Sequence, residues 1–300
     1  MSGDRDTGTR VEAAAVGAAL QASANTWRLA SAELLVGGAL AVTLVALALA
    51  GRLIELDGAT RIELAARFAA PGTPGYPLGA DHLGRDLWAR VVEGLGWSLS
   101  CALVATLIAG GIGTVLGVLA AERGGKLRAL VSQGSNLVLA LPGLVVAIAV
   151  IGIAGQGYWT LVLTLGLLTW PVFARIVMAE TASLLTRDYI LAARLAGAGS
   201  GRILLTHLLP GLRSTLMVVF AFHFADMLIA ESALSFLGIG APVGTPTWGN
   251  MLADSRQYLF TAPWMLLVPG GAIVLAVVTV NLIGDGLAAR SRRLARALES

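Results

Sequence analysis

One stretch limits the possible folds of this chain more than any other: the 46 residues from 129 to 174 contain no charged side chain. The hydrocarbon core of a bilayer is about 30 Å thick, and a helix needs roughly 20 apolar residues to cross it. The stretch is therefore too long for one crossing and long enough for two. Gly152, Gly155 and Gly157 lie between its halves and predict a tight turn between two helices.

Four further apolar runs have a similar length, which gives six predicted spans in total. These four runs cover about 34–50, 97–121, 214–237 and 264–283. The composition agrees, because the chain is 56% hydrophobic and 13% charged with a mean hydropathy of +0.79, whereas soluble domains are about 25% charged. We therefore predict an all-α integral membrane protein with six transmembrane helices in one domain at 30–287, flanked by tails at 1–29 and 288–300.

The distribution of basic residues predicts the orientation of the six spans. If the N-terminus is inside, the inner segments hold 15 of the 21 Lys and Arg residues and the outer segments hold six. Positively charged residues are enriched on the cytoplasmic side of membrane proteins, so both termini are predicted to be cytoplasmic. The arginines are scattered between apolar runs and form no continuous stripe, and nucleic acid is therefore not an expected partner.

The inner segment at about 179–213 has the pattern of a helical hairpin. Strong helix formers are interrupted once, between Gly197 and Gly201. Ser200 is placed to cap the second helix, and Asp188 falls in the first turn of the first helix, where a negative charge is favourable. Pro210 is expected to lie where the chain enters the next element. The pattern predicts a helix–turn–helix surface suited to binding another protein.

This hairpin resembles the EAA loop of permease subunits of bacterial ABC importers, in which two alanines, a glycine and a Leu-Pro pair recur at fixed spacing. Ala192, Ala193, Gly197, Leu209 and Pro210 fall on that spacing. The resemblance implies a type I ABC importer permease fold, and it implies that the hairpin is the coupling helix that fits a cleft in an ATPase subunit. The residues expected to form this ATPase-coupling surface are Asp188, Ala192, Ala193, Gly197, Ala198, Arg202 and Pro210.

Three further segments, at 77–86, 230–240 and 247–285, are similar to the C-type permeases of the dipeptide, oligopeptide and nickel group. The resemblance implies uptake of di- and oligopeptides through a path shared with a homologous B-type permease. It also implies two ATPase subunits that carry ATP and Mg²⁺, an extracytoplasmic substrate-binding protein, and a location in the bacterial cytoplasmic membrane. A nickel or metal-chelate importer is the alternative within this group.

The chain itself is not expected to be an enzyme or to hold a cofactor or metal. Its only lysine, Lys126, is followed by Leu127, so the phosphate-binding motif GxxxxGK[ST] is absent. The sequence also departs from the family in its tail at 288–300, which lacks the usual Arg-Asp and Asp-Pro pattern, and at three single positions. Leu191 stands where the EAA loop has glutamate, and His223 and Asn136 stand where the peptide permeases have aspartate.

Three ionisable residues of the fifth predicted span, His223, Asp226 and Glu231, need an explanation because a charge at the centre of a membrane helix is costly. Helical geometry spreads them over about 140° of the surface. They could line the translocation path, which is our candidate role, or they could pack and hydrogen-bond between helices, or contact a metal. They also leave open a self-sufficient proton-coupled secondary transporter.

A charged cluster follows the first span in the predicted outer loop. It consists of Asp81, Arg85 and Asp86. One interpretation is a contact with the binding protein or with the partner permease. The alternative is an internal salt bridge that holds the loop in place.

Overall fold

The computed structural model describes residues 32–50 and 57–299, with side chains at 32–50 and 58–291. The predicted tail at 1–29 lies outside the described residues. Ten α-helices account for most of the described chain. They are α1 (Ala32–Ala50), α2 (Leu87–Arg123), α3 (Gly125–Ala140), α4 (Gly143–Ala154), α5 (Tyr158–Leu185), α6 (Asp188–Leu195), α7 (Ser200–Ile203), α8 (Leu209–Phe236), α9 (Trp248–Ser255) and α10 (Trp264–Glu299).

The apolar helices confirm the predicted all-α membrane class. Five helices are long and apolar enough to cross a bilayer: α1, α2, α5, the continuous helix Ser200–Phe236 that contains α8, and α10. The pair α3 and α4 makes a sixth span if its two halves are counted together. Helices suit this environment because each satisfies its own backbone hydrogen bonds where no water is available.

The third span differs from the prediction because it is bent rather than straight. Helices α3 and α4 meet at an angle of 83°, with Leu141 in an extended conformation and Pro142 at the start of α4. Proline disfavours helical geometry in the residue before it and lacks the N–H that would continue the helix. The predicted turn before the fourth span is confirmed, and Gly155 there has a φ of +88°.

Three other helices are longer than predicted. Helix α2 begins at Leu87 rather than near 97, because the Asp86 side chain caps it by accepting bonds from the N–H groups of Trp88 and Ala89 at 3.1 and 3.3 Å. The fifth span is continuous with the second arm of the hairpin. Helix α10 continues through Glu299, so most of the predicted tail at 288–300 extends that helix.

Glycines allow the central helices α2 and α5 to pack closely. A Cβ atom added at Gly113 would lie 2.4 Å from the Cβ of Phe173 and 2.6 Å from the carbonyl oxygen of Trp170. A Cβ atom at Gly117 would lie 2.7 Å from the Ala174 oxygen. Small residues at such positions let helix backbones approach each other, which is the main route to helix association in lipid.

At the end of the bundle remote from the hairpin, the short helix α9 is wedged against α2 and α8. Trp248 is fully buried, and its indole N–H donates to the Val91 carbonyl at 3.0 Å. Gly249 lies so close to α8 that a Cβ atom would be 2.5 Å from the Ser232 oxygen. These contacts fix the end of α8 that carries Glu231.

Replacing Gly113 with valine tests the close packing of α2 and α5. The added side chain has no space, and overpacking of this kind costs about 1–3 kcal/mol or more. The Gly111→Val variant is the matched control, because nothing lies within 4 Å of a Cβ atom at that position of the same helix. Thermal unfolding in detergent should show a lower Tm for Gly113→Val only. Equal midpoints for the two variants would contradict the packing described here.

Candidate functional site

The turn of the hairpin is built by backbone hydrogen bonds after α6. The N–H of Ala198 donates to the Ala193 oxygen and the N–H of Gly197 donates to the Arg194 oxygen, both at 3.0 Å. This pattern is a Schellman motif, which places one residue in the left-handed region. Gly197 is that residue, with a φ of +82°. The glycine of the motif is therefore required by the backbone conformation of the turn.

A small apolar cluster anchors the hairpin to the rest of the bundle. Ile190 of α6, Ile203 of α7 and Leu208 are buried together, with Leu184 and Leu185 of α5 packed against them. The two arms are thus held against each other and against the end of α5. This anchoring gives the hairpin a defined position at one end of the bundle, which we call the hairpin end.

Most of the predicted coupling residues lie on the exposed side of the hairpin. Asp188, Ala192, Gly197 and Arg202 are exposed, whereas Ala193 and Ala198 are half-buried. Leu191, at the position of the family glutamate, is 46% exposed, and Leu195 is 91% exposed. The exposed surface of the hairpin therefore combines small and apolar side chains with one exposed carboxylate, Asp188, and exposed arginines at 187, 194 and 202.

One local prediction for the hairpin is wrong, because the cap of the second arm is Gly199 and not Ser200, whose side chain forms no cap bond. Pro210 lies in the first turn of α8, as expected. The second arm nevertheless continues into α8 through a π-helical turn at Leu204–Leu208. In that turn the N–H of Leu209 donates to the Leu204 oxygen, so the helix passes Pro210 without breaking.

The three ionisable residues of the fifth span point in different directions. His223 is 6% exposed, and its ring packs edge-on against Phe173 at a centroid distance of 4.9 Å. Asp226 has 69% of its side chain exposed, and its Oδ2 lies 3.8 Å from the Nδ1 of His223. Glu231 is fully buried. Two of the three, His223 and Glu231, are therefore buried within the subunit, and Asp226 is exposed.

Glu231 lies inside the subunit, where it is fully buried. Its carboxylate accepts hydrogen bonds from the hydroxyls of Ser235 at 3.0 Å and Ser232 at 3.3 Å. The Ser235 hydroxyl also accepts the N–H of Ala241 at 3.2 Å. Glu231 therefore ties α8 to the segment that leads into α9, which is the packing alternative considered from the sequence.

Asp226 is the one member of the three that lies on an exposed surface. Phe222 and Ile229 are exposed on the same side of α8, since positions 222, 226 and 229 follow one face of a helix. A carboxylate surrounded by lipid on such a face would be costly. The face of α8 that carries Asp226 is therefore better suited to contact with another subunit or with water than to contact with lipid.

A second polar group on the exposed surface was not predicted as a site. The guanidinium of Arg175 in α5 donates to the Asn136 side-chain oxygen of α3 at 2.5 Å, and both residues are exposed. From the sequence, Asn136 is notable only as a departure from the family. Its partner, Arg175, is 39 residues away on another helix, so no local sequence pattern predicts that the two residues are in contact.

The cluster after the first span forms a buried ionic network. Asp81 is 1% exposed, and its carboxylate pairs with Arg85 at 2.6 Å and with Arg90 of α2. Both arginines also reach the carboxylate of Asp254 in α9, at 3.5 and 3.4 Å. These contacts match the internal salt bridge considered from the sequence. Arg90 and Asp254 also take part in the network, and neither was predicted as a site residue.

The network stabilises the charged form of Asp81. Burial by itself raises the pKa of this carboxyl group, but Arg90, Arg85 and the N–H groups of Arg85 and Leu83 outweigh it and hold the pKa below its usual value. Asp86 has a separate role as the cap of α2. Asp81 and Arg85 are thus buried structural residues and offer little surface to a binding protein in this conformation.

Comparison with known proteins agrees with this architecture. Residues 113–296 match the model of the family described as binding-protein-dependent transport system inner membrane component. The di/tripeptide transport system permease protein DppC of Pseudomonas aeruginosa is 37% identical over 72% of this chain and 71% of its own length. The glutathione transport system permease protein GsiD of Pectobacterium atrosepticum is 38% identical over 70% of each chain.

A solved structure shows the same fold. A chain of the MetNI methionine ABC transporter in an inward-facing conformation superposes with a TM-score of 0.55, at 20% identity, over 68% of this chain and 97% of its own length. The bundle of apolar helices and these matches define a polytopic membrane permease. The chain belongs to the family of inner membrane components of binding-protein-dependent transport systems.

Replacing Asp81 with asparagine tests the buried ionic network. Removing one partner leaves Arg90 buried beside Arg85 without its closest carboxylate, and breaking a buried pair in this way costs about 3–5 kcal/mol. Asp86→Asn is the matched control, because asparagine caps helices as well as aspartate does. Thermal unfolding in detergent should show a large loss of stability for Asp81→Asn and a small one for the control. A similar small loss for both would exclude the network as a major source of stability.

Proposed function

We propose that this permease serves an ABC importer that takes up di- and oligopeptides across the bacterial cytoplasmic membrane. Its partners would be a homologous B-type permease, two ATPase subunits that bind ATP and Mg²⁺, and an extracytoplasmic binding protein. Both termini and the hairpin would then face the cytoplasm. The chain contributes the path and the coupling surface, and ATP hydrolysis belongs to the partners.

The substrate class rests on the relatives. Di/tripeptide and glutathione permeases match this chain at 37% and 38% identity over 70% or more of its length. Both named substrates are short peptides. These names favour peptides over nickel or a metal chelate.

The geometry of the hairpin is the observation that supports the coupling role. It is exposed at its surface, anchored by Ile190, Ile203 and Leu208, and joined without a break to a membrane-spanning helix. A protein bound to such a surface can move the span directly. The open space around Gly197, where nothing lies within 4 Å of an added Cβ atom, leaves room for a close partner.

Isolation from mild detergent tests the assembly. The tagged chain, expressed with its native partners, should co-purify with a second permease and with ATPase subunits identified by mass spectrometry. Recovery of the chain alone, together with proton-driven uptake after reconstitution, would instead support the secondary transporter.

The Ala192→Arg variant tests the coupling surface. A long charged side chain on this exposed face should prevent the ATPase from docking, so that peptide uptake and ATPase co-purification are both lost while the Tm is unchanged. Ala129→Arg is the matched control, because Ala129 is also exposed and lies on α3, outside the hairpin. Normal uptake by Ala192→Arg would exclude the hairpin as the docking surface.

We propose that Asp226, rather than Glu231, contributes to the translocation path. Its carboxylate is exposed on a membrane-spanning helix and has no close hydrogen-bond partner among the described residues beyond the 3.8 Å approach of His223. A carboxylate at this position can attract the ammonium group of a peptide. His223, which is buried against Phe173, would set the position of this carboxylate without touching the substrate.

The Asp226→Asn variant tests this role. Removing the charge of an exposed side chain should leave the Tm unchanged and raise the concentration of peptide needed for half-maximal uptake by about fivefold or more, the effect of losing about 1 kcal/mol of electrostatic attraction. Glu122→Gln, at the hairpin end of α2, is the control for loss of a carboxylate elsewhere. A change in Tm with unchanged uptake would show that Asp226 is structural.

A further inference from the structure

A long apolar groove runs between α8 and α10 and is open along its length. Its volume is about 780 Å³, and twelve of its thirteen lining residues have no charged group. The lining includes Leu209, Met217 and Phe220 of the α8 helix and Ile283 and Leu287 of α10. Helix α1 packs against one lining residue, since a Cβ atom added at Gly37 would lie 2.9 Å from the Cγ1 of Ile283. In a membrane protein, an apolar groove of this kind is suited to hydrocarbon chains.

The thirteenth lining residue is Arg213, whose side chain is exposed. No carboxylate within the described residues forms a salt bridge with it, and residues 205–224 contain no Asp or Glu. Asp285 of α10 lies about 160° around its helix from Ile283 and so faces away from the groove. The positive charge of Arg213 is therefore available to an anionic ligand.

A second arginine, Arg290 of α10, lies on the opposite side of the groove at a similar distance along the helix axes. Gly284 of α10 and Ala221 of α8 face each other, since an added Cβ atom on Gly284 would be 3.2 Å from that of Ala221. Arg290 is six residues beyond Gly284, and Arg213 is eight residues before Ala221. At 1.5 Å per residue along these antiparallel helices, the two lie about 9 and 12 Å from the contact, both toward the hairpin end.

We propose that this groove binds an anionic phospholipid, with the acyl chains along the apolar lining and the phosphate group between Arg213 and Arg290. Arg213 directly precedes the predicted membrane boundary at 214, which is where lipid phosphates lie. The negative leaflet of a bacterial membrane that faces the cytoplasm supplies such lipids, and each arginine near the surface contributes about 1 kcal/mol to binding them. The groove does not include Asp226, and among the predicted coupling residues of the hairpin it includes Pro210 alone.

Lipid retention measured by native mass spectrometry tests this site. The full chain is purified in mild detergent that contains equal amounts of phosphatidylglycerol and phosphatidylethanolamine. The wild-type chain should retain phosphatidylglycerol preferentially, and Arg213→Gln and Arg290→Gln should each reduce that retention about fivefold. Arg128→Gln, an exposed arginine on α3, should retain as much as the wild type.

Filling the groove provides a test that leaves the charges unchanged. Met217 is 38% exposed within the groove, and Met217→Trp should reduce retention while both arginines remain. Equal retention of the two lipids by the wild type, or unchanged retention by Arg213→Gln and Met217→Trp, would overturn the proposal. Cross-linking of a photoreactive maleimide probe, attached to a Met217→Cys variant, to a second permease in the intact transporter would also overturn it, because protein would then occupy the groove.

Discussion

The close approach of α2 and α5 is the contact on which the arrangement of the other helices depends. Lipid tails are as apolar as leucine, so burial of apolar surface drives helix association weakly in a bilayer and close packing decides it. The glycines at 113 and 117 remove side chains from the contact, and Phe173 packs against Gly113 and Gly110. Phe173 in turn packs against Phe220 and His223 of α8, so the position of α8 follows from the packing of α2 on α5.

The sequence predicted the number and order of the spans because charge and hydropathy are local properties. It did not predict the bend between α3 and α4, although Pro142 is visible in the sequence. Pro171 and Pro269 lie inside continuous helices, so proline alone does not show where a membrane helix breaks. Neighbouring helices can satisfy the freed backbone groups in one place and not in another, and this information is tertiary.

The same distinction explains what could be predicted of the site. The hairpin was predicted because its turn needs a glycine at a fixed distance from the end of α6, which is a local requirement. The ionic network was predicted only in part, because Arg90 and Asp254 are 164 residues apart. Helical geometry predicts the angles between His223, Asp226 and Glu231, but it does not show which of these directions faces the interior. That direction is set by Phe173 on one side and by the approach of α9 on the other.

The continuous helix from Ser200 to Phe236 links the two ends of the subunit mechanically. Its far end is fixed by Gly249 against Ser232 and by the bond from the Ala241 N–H to the Ser235 hydroxyl, whereas its hairpin end packs against α5 and α2 through two small apolar clusters. Under the proposed function, a force applied at the hairpin would displace the hairpin end of this helix more than the end held by α9. Asp226 lies between the two ends, close to the fixed one. Under the proposed function, motion of the ATPases would move this carboxylate by less than it moves the hairpin.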